Sequence, residues 1–304
     1  MNAVLVFPGQ GSQHVGMLDD IPEVEALDRL LDAAEALTAR DLRRLQREGT
    51  PAELADTRVA QPLLYLADWA WGTVLLDVGV EPVAVAGHSL GELAALAVSG
   101  VYSAEAGLEL VCERARLMAE AVAKNPGSMA AVLGLDGDTV SETLAGLSDV
   151  WVANDNAPGQ VVISGRRDAV ASAGDALLVA GARRVVPLDV AGAFHSPLMH
   201  QSAEEFSRLL DVTEFRDATV PVVQNTRPEP ATDAGDIRRA LAEQIASPVR
   251  WTETMRRLAG YEPVTLVEAG PGTVLRGLAK RIEGISSVSV EDTDVQALVE
   301  EVLR

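Results

Sequence analysis

Gly87-His88-Ser89-Leu90-Gly91 places a serine between two glycines, at the point where an apolar run over 82–86 gives way to a second apolar run over 93–98. This is Gly-x-Ser-x-Gly on a strand–turn–helix, the pattern of a nucleophile elbow. The sharp turn pushes the Ser89 hydroxyl into the open. The free N–H groups and positive dipole end of the following helix point to where an oxyanion would form. Such a serine needs a general base within hydrogen-bond reach, and the chain has four histidines. His88 adjoins Ser89, but adjacent residues on an elbow point in different directions, so it suits a packing or orienting role. His14 lies beside the loop Pro8-Gly9-Gln10-Gly11-Ser12-Gln13, and His200 sits in a polar stretch that reads as surface. His195, in Ala193-Phe194-His195-Ser196-Pro197, falls where the chain changes character, a plausible cleft wall. Spacing ranks His195 first and leaves His88 and His14 open.

The Pro8–Gln13 loop matches neither Gly-x-x-x-x-Gly-Lys nor Gly-x-Gly-x-x-Gly. It reads either as a loop that brings a backbone N–H close to the serine or as an ordinary strand-end turn. Arg114 falls at the edge of the apolar stripe Leu108, Val111, Cys112, Ala115, Met118, Ala119 and Val122. A guanidinium there would be half-buried and would pair with a carboxylate, either a substrate's or that of a neighbouring Asp or Glu. No metal site is expected: His195 and His200 are five apart and no Cys or Glu cluster joins them.

The elements around these residues follow from pattern. A strand is expected over 4–7 and a helix from Thr50-Pro51-Ala52-Glu53, a capping box with proline at the first helical position. A buried helix is expected over 62–76, the elbow over 83–98, and a helix over 104–123 capped by Ser103. Between 128 and 190 the pattern becomes strand, helix, strand, strand, helix, strand, the split βαβ order of a ferredoxin-like unit. From Phe194 onward an α/β pattern returns, with a strand over 264–268 and a helix over 274–281. The expectation is an α/β fold: a large α/β-hydrolase-like domain over 1–126 and 193–304, with a small inserted ferredoxin-like (βαββαβ) domain over 127–192.

The 304 residues suffice for a large core. A net charge of −20 argues against nucleic acid as a partner, because phosphate binding relies on clustered Lys and Arg. The single cysteine, Cys112, precludes an intrachain disulfide and suits a reducing compartment. No run of about 18 apolar residues suggests a membrane span, and no signal-peptide pattern opens the chain. A soluble, cytoplasmic protein is expected.

Taken together, these segments resemble the malonyl-CoA:acyl-carrier-protein transacylases. The resemblance is carried by Phe7-Pro8-Gly9-Gln10-Gly11-Ser12-Gln13, Gly87-His88-Ser89-Leu90-Gly91-Glu92, and Arg114 lying 25 residues after Ser89 with Met118 following. Further matches are Asn154-x-Asn156-Ala157-Pro158-Gly159-Gln160, Gly192 to Met199 around Phe194-His195, Gln244 before Pro248-Val249-Arg250-Trp251, and Glu268-Ala269-Gly270-Pro271-Gly272. They occur in family order across nearly the whole chain. The resemblance implies that Ser89 attacks a malonyl thioester and that His195 is its base, oriented by the Gln244 carbonyl. It implies an oxyanion hole of the Gln10 and Leu90 backbone N–H groups, and Arg114 on the malonyl carboxylate. Phe194 beside His195 resembles the malonyl-type motif that disfavours a branched unit, and His88 and Asn156 join the substrate-binding set. The implied reaction is ping-pong transfer from malonyl-CoA to the phosphopantetheine thiol of an acyl carrier protein, for fatty-acid or polyketide synthesis. No cofactor is implied.

The segment between Met17 and Leu31 is shorter than in the fatty-acid enzyme and resembles the transacylase subunit of malonate decarboxylase. The acidic chain must also meet an acidic carrier, so a local basic patch is expected, with Arg183, Arg184, Arg276, Lys280 and Arg281 as candidates. Two rivals remain: a serine esterase or thioesterase, for which Asp189 is the nearest acid, and a non-catalytic scaffold subunit.

Overall fold

The computed structural model describes residues 2–190 and 192–303; Met1, Ala191 and Arg304, inside the expected domain boundaries, lie outside the described residues. The chain opens with β1 (Asn2–Phe7), followed by α1 (Leu27–Thr38), α2 (Leu42–Glu48), α3 (Pro51–Ala55) and α4 (Thr57–Asp77). The Thr50 capping box forms: its side chain accepts from Glu53 N–H, and Glu53 reaches back to the Thr50 N–H at 2.8 Å. β2 (Pro82–Gly87) leads through the elbow into α5 (Gly91–Val98), and Ser103 caps α6 (Ala104–Lys124).

The middle segment is β3 (Ser128–Leu133), α7 (Gly137–Leu144), β4 (Val150–Ala157), β5 (Gln160–Gly165), α8 (Arg167–Val179) and β6 (Arg184–Pro187). The return comprises α9 (His200–Val212), β7 (Val222–Val223), α10 (Ala234–Gln244), α11 (Trp251–Ala259), β8 (Val264–Glu268), α12 (Val274–Ala279), β9 (Ile285–Ser289) and α13 (Val295–Leu303).

Two sheets result. The larger has the order β7-β2-β1-β8-β9, with all its neighbours parallel. The smaller has the order β4-β5-β3-β6, with all its neighbours antiparallel. From Ala3 to Phe7 β1 is apolar and buried because both its faces are covered, as parallel sheets require. Ala3, Leu5 and Phe7 point into the core shared with α4 and α6, whereas Val4 and Val6 point to the opposite core around Trp251 and Met255. The smaller sheet joins the rest of the fold where Val249, between α10 and α11, lies alongside β4: Asp155 N–H donates to Val249 O at 2.9 Å, and Val249 N–H to Ala153 O at 2.8 Å.

Two boundaries differ from expectation. α4 starts at Thr57, so Pro62 lies inside it rather than at its start. Asp56 caps the earlier start by accepting from Arg58 N–H at 2.9 Å. Burial of nearly every residue from Val59 to Ala67 outweighs the one backbone bond that proline removes. β4 runs past Ala153, where the residue pattern ends its strand ahead of an Asn156-Ala157-Pro158-Gly159 turn, and continues to Ala157, with register shifts against β5 between Val152 and Asn154 and between Asp155 and Ala157.

Candidate active site

Ser89 sits between β2 and α5 with φ +53°. A non-glycine residue pays about 1–2 kcal/mol for this left-handed conformation. The two glycines of the motif are needed by close approach. A Cβ on Gly87 would lie 2.0 Å from the carbonyl carbon of Gly91, and one on Gly91 would lie 2.1 Å from Phe7 O.

The strained turn is clamped from both sides. Asn225 accepts from Ser89 N–H at 2.6 Å and donates from Nδ2 to Gly87 O at 2.6 Å. Gln244 Nε2 donates to Ser89 O at 2.9 Å. Asn225 is itself held by Glu92, which accepts from Asn225 N–H at 2.8 Å and from Gln224 Nε2 at 3.1 Å. Burial pushes the Glu92 carboxyl above the usual range, and these donors oppose the shift. Sequence reasoning missed Asn225 and the role of Glu92. The signals were present: a carboxylate in the first turn of an otherwise apolar helix, and the polar pair Gln224-Asn225 directly after the buried strand Val222-Val223.

Ser89 Oγ lies 2.7 Å from His195 Nε2. His195 Nδ1 faces two backbone carbonyls, Gln244 O at 3.0 Å and Ser247 O at 3.2 Å. Carbonyls only accept, so Nδ1 carries the proton and Nε2 offers its lone pair to the serine. Burial, helped by the nearby Arg114 cation, lowers the imidazole pKa to about 3, so it is neutral at neutral pH. The carbonyls occupy the side of the ring where a hydrolase triad places its acid. Asp189 is an exposed residue at the cavity wall instead.

The other histidines are held elsewhere. His88 Nε2 lies 2.8 Å from Asn156 Oδ1, and its ring packs edge-on against Trp251 at 5.3 Å. His14 lies on the surface beside Glu291 at 3.2 Å, and His200 is exposed.

Arg114 departs from expectation. It is 1% exposed rather than half-buried, because α4 and α10 cover its edge of α6. Its Nη2 donates to Ser89 Oγ at 3.1 Å and to Gln244 Oε1 at 2.9 Å, and its Nη1 to Gln61 Oε1 at 2.8 Å. Among the described residues no carboxylate forms an ion pair with it. Burial lowers its pKa to about 10, which still leaves it cationic at neutral pH.

The loop after β1 lies directly on the elbow: a Cβ on Gly9 would sit 2.4 Å from His88 O. Gln10 anchors its side chain on Thr57 Oγ1 at 3.3 Å and Ala55 O at 3.4 Å, away from the serine. In the elbow, the N–H groups of Ser89, Gly91 and Glu92 go to Asn225, His88 O and Ser89 O. Leu90 N–H is the one these bonds do not use. Gln10, Leu90, Ser89, Arg114, Phe194 and His195 all line one cavity of about 350 Å³. Met129, Asn154 and Val162 of the smaller sheet complete its wall, so the cavity lies between the two sheets. Among the described residues no group of three His, Cys, Asp or Glu side chains is placed to hold a metal ion.

An elbow serine hydrogen-bonded to a buried neutral histidine, at the edge of a parallel α/β sheet, is an arrangement able to support acyl transfer. The family model for the acyl transferase domain matches residues 4–302. The chain is 38% identical to the malonyl CoA-acyl carrier protein transacylase of Bacillus subtilis (strain 168), over 98% of this chain and 96% of that protein. It is 42% identical to the enzyme of the same name from Synechocystis sp., over 92% of this chain and 94% of that protein. Among solved structures, an acyl carrier protein S-malonyltransferase from Vibrio cholerae aligns with TM-score 0.90 and 37% identity, covering 99% of this chain and all (100%) of that one. A malonyl-transacylase in complex with a type II PKS acyl-carrier protein aligns with TM-score 0.91 and 37% identity, covering 100% of this chain and 99% of that one. The chain belongs to the malonyl-CoA:acyl-carrier-protein transacylase family.

Proposed function

We propose that this enzyme moves a malonyl group from malonyl-CoA to the phosphopantetheine thiol of an acyl carrier protein, through an ester on Ser89. The observation that carries the reading is Arg114: a buried cation 3.1 Å from Ser89 Oγ, held only by neutral groups. A neutral acyl chain would leave that charge unpaired, whereas a malonyl carboxylate takes it in a bidentate pair.

In the first half-reaction Ser89 Oγ attacks the thioester carbon and its proton passes to His195 Nε2. The new C–O bond forms, the C–S bond breaks, and His195 returns the proton to the departing CoA sulfur. The Gln244 and Ser247 carbonyls hold the Nδ1 proton while the ring is charged. The Gln10 and Leu90 N–H groups take the oxyanion, each worth about 3–4 kcal/mol. In the second half-reaction the carrier thiol gives its proton to His195, its sulfur attacks the malonyl ester, and Ser89 Oγ leaves with that proton. Phe194 narrows the wall against a branch on the acyl group. His88, fixed by Asn156 and Trp251, supports the far side of the substrate.

The small antiparallel sheet reads as a ferredoxin-like insertion bounded by 127 and 192. Its order β4-β5-β3-β6 and its alternation of strands and helices support that division. The reading keeps the cytoplasmic placement expected from a single cysteine. A carrier patch at Arg183, Arg184, Lys280 and Arg281 fits it better than one including Arg276, whose guanidinium is tied to Asp292 at 2.5 Å. The transacylase subunit of a malonate decarboxylase would run the same chemistry on another carrier.

The test uses purified enzyme, malonyl-CoA and a holo-acyl carrier protein. Malonyl-carrier should accumulate well ahead of free malonate. Malonate release without transfer to the carrier marks a thioesterase instead.

A further inference from the structure

A guanidinium that is 1% exposed ordinarily rests on a carboxylate, because an unpaired buried charge is costly. Arg114 rests on two amides. Gln61 Oε1 accepts from Nη1 at 2.8 Å and Gln244 Oε1 from Nη2 at 2.9 Å. Its Nε is buried without a partner, so its donors are not saturated. The acid that acts on it from farther off, Glu92, has committed its oxygens to Asn225 N–H and Gln224 Nε2.

Gln244 has a second task on the elbow, through Nε2 to Ser89 O. Gln61 has none: it comes from α4, is 1% exposed, and faces Arg114 and Met118. Its Nε2 donates to Met118 Sδ at 3.4 Å, one turn beyond Arg114 on α6. That contact sets the amide's orientation. A flipped amide would aim its N–H₂ at the guanidinium, donor against donor, and its oxygen at the sulfur, acceptor against acceptor. A glutamate at this position would have nearly the same shape and would neutralise the cation.

We propose that Gln61 is a positioning residue that sets the selectivity of this site for acyl groups bearing a carboxylate: it fixes the guanidinium of Arg114 while leaving its charge to the substrate. The inference rests on the reading of Arg114 as the partner of the acyl carboxylate. A neutral acceptor fixes direction and withholds charge, so the full cation meets the incoming anion in a dry site, where charge pairing counts most.

The experiment compares wild type, Gln61→Glu, Gln61→Met and Arg114→Ala, each with malonyl-CoA and with acetyl-CoA on one holo-acyl carrier protein. In Gln61→Glu the malonyl-to-acetyl turnover ratio should fall about 100-fold, because the introduced carboxylate takes the guanidinium. Gln61→Met keeps the volume but loses the acceptor, and should raise KM for malonyl-CoA about tenfold. If Gln61→Glu keeps the ratio within about twofold while Arg114→Ala collapses it, the proposal is overturned and the reading of Arg114 stands. If Arg114→Ala itself leaves the ratio unchanged, the reading of Arg114 fails and this inference falls with it. Should Gln61→Glu not fold, by its melting curve, Gln61→Met carries the test. An unaltered KM for malonyl-CoA then overturns the proposal.

Discussion

Arg114 touches Ser89 Oγ and, after burial, helps to depress the pKa of His195, so on the proposed reading one side chain would bear on binding, on the nucleophile and on the base. Replacing it with alanine removes a charge-assisted pair worth a few kcal/mol when desolvated, and malonyl transfer should drop by roughly two to three orders of magnitude. Acetyl transfer should drop far less. The same substitution changes the pH profile. His195 is active when neutral, so activity is lost as pH falls through its pKa, which burial and the cation hold at about 3. Removing the cation raises that pKa, so the acid limb of acetyl transfer should move to higher pH. A limb that stays put, measured as kcat/KM for acetyl-CoA against pH, would separate Arg114 from the base. From residue type and spacing Ser89 could be picked and His195 ranked first, with His88 and His14 left open; the role proposed for Arg114 could be read only through the family resemblance. The depth of Arg114 could not be read, because the stripe on α6 shows one helix, and the cover comes from α4 and α10.

At the scale of elements, the elbow is a strained turn that its neighbours over-determine. β2 supplies Gly87, α5 supplies Gly91, and the segment just after β7 supplies Asn225, which bonds both sides of Ser89. Asn225→Ala strips partners from the Ser89 N–H and the Gly87 carbonyl, each costing about 1–3 kcal/mol when buried. The variant should melt several degrees lower, and acylation should slow by about tenfold or more as the serine leaves its φ +53° conformation. Thermal melts and single-turnover acylation check this, and an unchanged pair would remove Asn225 from the elbow's support. The elbow was legible because its glycines, strand and helix are contiguous in sequence. The clamp was not, because Asn225 reaches Ser89 across 136 residues and β7 is only two residues long. The start of α4 lay outside the expected 62–76 for a related reason: its first turn is held by the Asp56 cap and by burial against distant elements rather than by local pattern.

At the scale of the molecule, two sheets of opposite character form the cavity between them. The parallel sheet brings the loops after β1 and β2 to one edge, the usual place for a site in an α/β fold. The antiparallel sheet closes the opposite wall and leads through the segment after β6 to His195. That division of labour brings Ser89 Oγ and His195 Nε2, separated by 106 residues in the chain, within 2.7 Å. The order of elements was readable from hydrophobic period; the junction of β4 with Val249 was not, since a single bridge has no sequence pattern. Transfer by this route requires a covalent malonyl ester on Ser89, which intact-protein mass spectrometry after brief exposure to malonyl-CoA, without carrier, detects. One malonyl group should add to the wild type and map to Ser89, and Ser89→Ala should take up none. An adduct that persists on Ser89→Ala, or its absence from the folded wild type, would contradict the account.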